Sequence, residues 1–209
     1  INDESYSLHT EYSYGKREFD SSLIQRYPTL VKSSKRGIPR LWHSEKWAEE
    51  FAFFILELCK GHKDPDIIEV HPPFSDYSSI STFLDCFKVF EAIVSVQFPS
   101  VKILVENRYG TTYQGGKFIV SRIEDLILLS NTIDLRSSNL RITLDLPQLL
   151  TAHGFNNSKP ELLDELFEKI GSIRHNISGI HLWGKRKSPK GRRFSHSGDL
   201  RSFFNDDDM

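Results

Sequence analysis

The chain has 209 residues, of which 38% are hydrophobic and 26% are charged, and its formal net charge is -1 at pH 7. This size suits one core, so we expect residues 1–209 to form a single domain. A charge near zero argues against a general attraction to nucleic acid or anionic membrane, but it is compatible with a local basic patch. No apolar run approaches the roughly 20 residues that span a bilayer. The first residues are too polar for a secretory signal, so we expect a cytoplasmic protein that makes no membrane contact.

Apolar periodicity predicts helices that alternate with short strands. Apolar residues at spacings of three and four predict helices from Ser44 to Gly61 and from about Ser81 to Phe98. Ser121–Glu124 and Ser158–Glu161 each match a capping box, which marks a helix start, and Gly171 is expected to end the second of these helices. Strands are predicted at 66–71, 101–106, 140–145 and 178–183, after a short run that ends at His9. Such βα units predict an α/β fold with a parallel barrel of the TIM type.

Each of the five predicted strands ends in a residue that can bind a metal ion. These residues are His9, His71, Glu106, Asp145 and His181. In a parallel barrel the carboxyl ends of the strands meet at one rim, where this architecture places its chemistry. Burying so many titratable groups costs several kcal/mol each unless they are paired or coordinated. The pattern therefore predicts a metal centre.

Side chains alternate between the two faces of a strand, which sharpens this prediction. The pairs Glu69 with His71, Leu104 with Glu106 and Thr143 with Asp145 should point into the barrel. The apolar residues between them should pack against the outer helices: Ile68, Val70, Ile103, Val105, Ile142 and Leu144.

Short motifs, taken in order, resemble those of a known superfamily. They lie at His71–Pro73, Val105–Gly110, Leu144–Gln148 with Ala152–Gly154, His181–Trp183 and His196–Asp199. Their order and approximate spacing are similar to the metal motifs of the xylose-isomerase-like TIM barrels. Within that superfamily they look most like the endonuclease IV branch, the family 2 apurinic/apyrimidinic endonucleases.

The resemblance implies a ligand set and a cofactor. Glu106 would bridge two ions, with His9 and His71 at the first ion and Asp145 and His181 at the second. The resemblance also implies that His196 serves a third metal. Glu106, Asp145 and His181 would form the catalytic group. Two zinc ions fit a shell rich in histidine, and manganese or magnesium are alternatives.

The chain also departs from the family pattern. Gln148 stands where the family has a metal-binding histidine, and Phe194 stands where it has an aspartate. His153 could substitute as a ligand, although a position near a short helix end is favoured for it. The glutamate of the family's final strand has no counterpart here. Five to six strands are too few to close an eight-stranded barrel. The chain is therefore expected to be a fragment of a longer protein, or else an open barrel completed by another chain.

A basic stretch follows the predicted strand that ends near His181. Its cations are Lys185, Arg186, Lys187, Lys190, Arg192 and Arg193. A charge run of this kind is often a solvated loop. At the rim of a barrel it could instead contact phosphates, and such binding would depend on salt. Arg108 and Tyr109 could add a phosphate contact and a stacking surface for a base.

Three functions remain open from the sequence. The favoured one is phosphodiester hydrolysis on abasic or damaged DNA by a metal-bridged hydroxide, as the endonuclease IV resemblance implies. The first alternative is a sugar isomerase or epimerase with a single manganese or magnesium ion, which would not need His9 and His71. The second alternative is a non-catalytic module that binds nucleic acid or a protein partner.

Overall fold

The order of the strands in the sheet follows the chain. The computed structural model describes residues 5–10, 21–33, 37–109, 116–155, 161–187, 193–195, 198, 199 and 202. Within them, one parallel sheet has the order β1 (Ser7–His9), β2 (Ile67–Val70), β3 (Lys102–Glu106), β4 (Arg141–Asp145) and β5 (Ile177–His181). A sheet that winds in one direction is typical of a (β/α) barrel, since a doubly wound sheet reverses its order. The predicted α/β architecture is confirmed, and the described part supplies five strands of a partial barrel.

Helices fill the connections between these strands. In the described ranges they are α1 (Ser21–Arg26), α2 (Pro28–Ser33), α3 (Glu45–Cys59), α4 (Ile80–Gln97), α5 (Ile123–Arg136), α6 (Leu146–Ala152) and α7 (Glu161–Ser172). A short 3-10 helix at Arg174–Asn176 precedes β5. The two long helices predicted from periodicity are confirmed as α3 and α4. The hydroxyl of Ser44 accepts a hydrogen bond from the Trp47 amide and so caps α3. None of the described helices is long and apolar enough to cross a membrane.

Helix α5 begins at Ile123 as predicted, but two details of the helix ends differ from the predictions. The α5 cap is closed by Asp125 instead of Glu124, because the amides of Arg122 and Ser121 donate to Asp125 Oδ2 at 2.9 and 3.1 Å. Arg122 is the N-cap residue, so the third helical position falls on Asp125. The predicted stop at Gly171 was wrong, because α7 continues to Ser172 and Gly171 does not adopt a positive φ. The predicted cap at 158–160 lies outside the described residues.

The two faces of the sheet differ as predicted. The six apolar residues assigned to the outer face are buried and belong to one core with α3, α4 and α5. On the other face, Glu69, Leu104 and Thr143 are also buried. A Cβ at Gly179 would lie 2.8 Å from Thr143 Oγ1 and 3.2 Å from a methyl group of Leu104. The inner face of the sheet is therefore packed closely enough to require glycine on β5.

Curvature of the sheet brings its two edge strands together. The imidazole centroids of His9 on β1 and His181 on β5 are 5.7 Å apart. In a flat sheet these strands would be separated by about 19 Å, at about 4.8 Å per strand. The sheet therefore curls around its polar face, as a barrel wall does, and the strand ends point into one space.

The two described parts of the basic stretch after β5 pair as the arms of a hairpin instead of forming the predicted loop. Strands β6 (Lys185–Lys187) and β7 (Arg193–Ser195) pair antiparallel. The sequence carries a signal for this structure, because Pro189 and Gly191 are turn-forming residues between two short runs. The high charge of the segment favoured the loop prediction, which was wrong for these six residues.

Candidate metal centre

Glu106, at the end of β3, lies at the centre of the histidines from the other strands. Its Oε2 lies 3.0 Å from Nε2 of His71 and 3.3 Å from Nε2 of His9. Its Oε1 lies 3.2 Å from Nδ1 of His181. The side chain of Glu106 is only 2% exposed, so water contributes little to its solvation. The two oxygens of one buried carboxylate thus face two separate groups of ligands.

Potential ligand atoms form two triads that share this carboxylate. One triad is His9, His71 and Glu106, and the other is Glu106, Asp145 and His181, with all ligand atoms of each triad within 4.8 Å of one another. The Nε2 atoms of His9 and His71 are 3.2 Å apart. Neighbouring ligands at about 2.0–2.2 Å from one ion are themselves separated by about 2.8–3.1 Å in octahedral and about 3.3–3.6 Å in tetrahedral geometry. Histidine nitrogens and carboxylate oxygens are suitable donors for a divalent ion, so the residues present fit one.

The charge of Glu106 is favoured in spite of its burial. Burial alone would raise the pKa of Glu106, but hydrogen bonds from His181, His71 and His9 hold it well below its ordinary value. The hydrogen bond to Glu106 raises the pKa of the partly exposed His9. Burial lowers the pKa of His71, which favours the neutral imidazole that metal ions require. The triad of His9, His71 and Glu106 therefore combines one firmly ionised carboxylate with a buried neutral histidine.

His181 lies between two carboxylates. Its Nδ1 faces Glu106, and its Nε2 lies 3.2 Å from Oε2 of Glu69. Hydrogen bonds to Glu106 and then to Glu69 raise the pKa of His181 to about 10. The other oxygen of Glu69 accepts a hydrogen bond of 2.8 Å from the Thr143 hydroxyl. Burial would raise the pKa of Glu69, but the bonds from His181 and Thr143 lower it.

Asp145 is fully buried and is held by neighbours on both oxygens. The indole of Trp183 donates to Oδ2 at 2.7 Å, and the amide of Gln148 donates to Oδ1 at 2.9 Å. The Gln148 side chain lies 3.4 Å from Oδ2, while its own oxygen accepts from the Tyr109 amide at 2.6 Å. Burial raises the pKa of Asp145 to about 6 against the Trp183 and Gln148 bonds, and the nearby Glu106 carboxylate adds to the rise. Gln148 therefore fixes Asp145 in place.

Backbone contacts fix the ends of the strands that carry these ligands. The side chain of buried Asn107 accepts from the Asp145 amide at 2.8 Å and donates to the Asp145 carbonyl at 3.1 Å. The Trp42 indole donates to the His71 carbonyl at 2.9 Å. Trp42 adopts a φ of 50°, which is uncommon for a bulky residue and indicates local strain beside the site.

The predicted site residues on the strand ends come together, and others lie elsewhere. His9, His71, Glu106, Asp145 and His181 form one cluster, and the Arg108 guanidinium lies 3.5 Å from Glu106 Oε2. The side chain of Tyr109 is exposed, and its contact with the site is made by its backbone amide, which donates to Gln148. His153 caps α6 and accepts a hydrogen bond from the Ile123 amide at 3.0 Å, which agrees with the favoured prediction of a position near a short helix end.

Part of the prediction falls outside the described side chains. His196, Lys190 and Arg192 lie outside the described residues, so their predicted roles stay predictions. For Lys185, Arg186, Lys187, Arg193 and Phe194 the structure gives only the backbone of the hairpin.

Four residues that support the site were not assigned to it from the sequence: Glu69, Asn107, Trp183 and Trp42. The alternation on β2 already placed Glu69 on the same face as His71, and this signal could have identified it. Asn107 and Trp183 stand one and two residues beyond predicted ligands, which is a weaker signal. Trp42 is distant in the chain, and only the folded structure relates it to His71.

Comparison with known proteins gives no more than a distant likeness. No family model matches the chain, and no curated protein matches it. Among solved structures, the crystal structure of the probable 3-DHS dehydratase AsbF, involved in petrobactin synthesis in Bacillus anthracis, is 11% identical. The match covers 90% of this chain and 75% of that chain, with a TM-score of 0.38. Such a likeness does not carry an activity across, so the architecture given above rests on strand order and pairing.

Proposed function

We propose that this protein is a metal-dependent enzyme of the xylose-isomerase-like type, with its active site at the two triads that share Glu106. The proposal rests mainly on the contacts of one buried carboxylate, that of Glu106. Its Oε2 faces His9 and His71, and its Oε1 faces His181. A carboxylate that bridges two ions offers one oxygen to each. His9, His71 and Glu106 would hold one divalent ion, and Glu106, Asp145 and His181 would hold the other.

The reaction we propose is hydrolysis of a phosphodiester, with abasic or damaged DNA as the substrate. Water adds across one P–O ester bond, and the products are a phosphomonoester and an alcohol. When bound, a pair of divalent ions makes a water more acidic and neutralises charge on the phosphoryl oxygens.

The chain's own residues support this reaction in three ways. The Arg108 guanidinium beside Glu106 adds a positive charge that suits a phosphate oxygen. Trp183 and Gln148 keep Asp145 aimed into the site. The basic hairpin, which directly follows β5 in the chain, would contact further phosphates.

A second candidate is proton transfer on a sugar, with a single manganese or magnesium ion. It is favoured by the carboxylates around His181, where Glu69 stands on one side of the ring and Glu106 on the other. Glu106, Asp145 and His181 would hold this single ion. His9 and His71 are not required by this chemistry, which is why hydrolysis is the first candidate.

Metal content and activity distinguish the candidates. Protein purified without added metal should contain close to two transition-metal ions per chain by elemental analysis, and should cleave a duplex with one abasic site. Treatment with chelator should abolish cleavage, and an intact duplex of the same sequence is the control substrate. One ion per chain with aldose–ketose interconversion would favour the second candidate. Bound ions without turnover would support a binding module, and a metal-free protein would contradict the proposal.

The proposed DNA contact has its own test. Replacing Lys185, Arg186, Arg192 and Arg193 with glutamine should weaken duplex binding and make the logarithm of affinity depend less steeply on the logarithm of salt concentration. Glutamine at the surface residues Lys46, Lys60, Lys88 and Lys102 is a control that removes the same charge elsewhere. An equal effect of both sets would indicate general electrostatic attraction instead of a contact at the hairpin.

A further inference from the structure

Glu69 lies behind His181, outside both triads of potential ligands. Its residue is 6% exposed, and one of its oxygens accepts from Thr143 Oγ1 at 2.8 Å. Its other oxygen faces Nε2 of His181 at 3.2 Å, on the side of the ring away from the Glu106 contact. A buried carboxylate of this kind needs partners, and these two contacts supply them.

His181 differs from the other histidines in the nitrogen that it turns to the centre. His9 and His71 approach Glu106 through Nε2, whereas His181 approaches through Nδ1. Because Nε2 of His181 faces Glu69, only Nδ1 can face Glu106 and the centre of the cluster. An imidazole with its Nε2 hydrogen bonded to a carboxylate leaves Nδ1 with a free lone pair, and a carboxylate behind a ligating histidine also makes the ring more basic.

We propose that Glu69 is a positioning residue, held by Thr143, that fixes His181 with Nδ1 as the ligand atom of the second ion. This inference rests on the proposed function, because it requires an ion between Glu106, Asp145 and His181. It makes the affinity of that ion depend on Glu69, and it leaves the ion at His9 and His71 unaffected. Glu69 needs no contact with the substrate.

Ion titration with zinc alone tests the proposal without measuring activity. Wild-type protein should bind two ions, and Glu69→Gln should weaken one of them by about 10- to 100-fold, the usual effect of removing a partner behind a ligand. Thr143→Val should weaken the same ion, and Thr143→Ser, which keeps the hydroxyl, should restore it. Nitrogen-15 NMR of the zinc-loaded wild type should show His181 protonated at Nε2.

Glu50→Gln is the matched control. Glu50 is 3% exposed and accepts hydrogen bonds from the amides of Thr29 and Leu30, away from the metal centre. This variant should lose stability and bind both ions as the wild type does. Circular dichroism of every variant checks that each is folded, and Thr143→Val provides a second route to the answer if Glu69→Gln does not fold.

The outcomes separate the two proposals. A wild type that binds two ions and a Glu69→Gln variant that binds them equally well would overturn the role of Glu69 alone. A zinc-loaded His181 that is protonated at Nδ1 would also overturn it. A wild type that binds no ion would overturn the proposed function, and the positioning role with it.

Discussion

The two halves of the cluster share Glu106 but hold their side chains differently. In the half with His9 and His71, Glu106 is the one carboxylate of the triad, and the Arg108 cation lies 3.4 Å from Nε2 of His71. In the half with Asp145 and His181, two carboxylates form the triad with one histidine, and Glu69 adds a third carboxylate behind the ring. The second half is therefore the more negative environment, and we expect it to hold a divalent ion more tightly.

The halves also differ in how firmly they are built. Trp183 and Gln148 donate hydrogen bonds to the Asp145 side chain, and Asn107 exchanges hydrogen bonds with the Asp145 backbone. His9 lies at the edge strand β1, and its side chain is 41% exposed. A site that is arranged before its ion arrives loses less conformational entropy on binding. This difference in rigidity, like the difference in charge, predicts that the half with Asp145 and His181 binds its ion more tightly.

The largest effect should follow the loss of the shared residue. Glu106→Gln keeps the shape of the side chain but removes the charge that both halves use. We expect both ions to be lost and activity to fall by more than about 100-fold, since even residues behind a ligand contribute 10- to 100-fold. Elemental analysis and the cleavage assay measure these effects, with Glu50→Gln as the control. Retention of either ion would show that the halves do not depend on one carboxylate.

Single histidine variants should separate the halves. His71→Gln should lose the ion held with His9 and keep the other, whereas His181→Gln should lose the ion held with Asp145. Because the Asp145 half is more negative and better braced, the ion kept by His71→Gln should resist chelator more strongly. Titration with a competing chelator compares the two. His175→Gln is the control, because His175 pairs with Asp134 on the surface away from the cluster. Loss of both ions in either variant would contradict the division into halves.

The sequence predicted this cluster better than it predicted the contacts that support it. His71, Glu106 and Asp145 could be placed because strand ends in a parallel sheet share one rim, and period-two alternation decides which face a residue takes. These are properties of short segments, so they can be seen in the chain. The hydrogen bond from Trp42 to the His71 carbonyl joins residues 29 positions apart and follows no local period.

The misses have the same origin. The resemblance placed Gln148 where a metal-binding histidine was expected, but the observed contact of its side-chain oxygen is with the Tyr109 amide, 39 positions earlier in the chain. The α5 cap was missed because Glu124 and Asp125 are adjacent acidic residues, and only the backbone shows which of them occupies the third helical position. The hairpin was missed because the high charge of the segment favoured a loop, although Pro189 and Gly191 are turn-forming residues between the two strands.

The pH dependence of the metal-free protein gives a third test of the comparison. The pKa of His181 is raised from 6.5 to about 10, so its contribution to stability is complete below pH 6.5 and is lost as pH rises towards 10. The free energy of unfolding of the wild type, relative to His181→Gln, should therefore fall between pH 6.5 and 10 in the presence of chelator. Urea unfolding at both values measures it. With zinc the trend should reverse, because ligands bind only when deprotonated. A constant difference would contradict the placement of His181 between Glu69 and Glu106.

The smallest effect should come from the brace that joins β3 and β4. Asn107→Ala removes both hydrogen bonds to the Asp145 backbone and leaves a buried amide without its partner, at a cost of about 1–3 kcal/mol. We expect a lower urea midpoint with an unchanged slope, because the folded state loses contacts but not compactness. Asn131→Ala, at an exposed position on α5, should leave the free energy of unfolding within about 0.5 kcal/mol of the wild type. Both ions should still bind to Asn107→Ala, and only the one at Asp145 should weaken. If the affinity for the ion at His9 and His71 fell by the same factor, the Asn107 hydrogen bonds would position the whole cluster, and the division into two independent halves would be wrong.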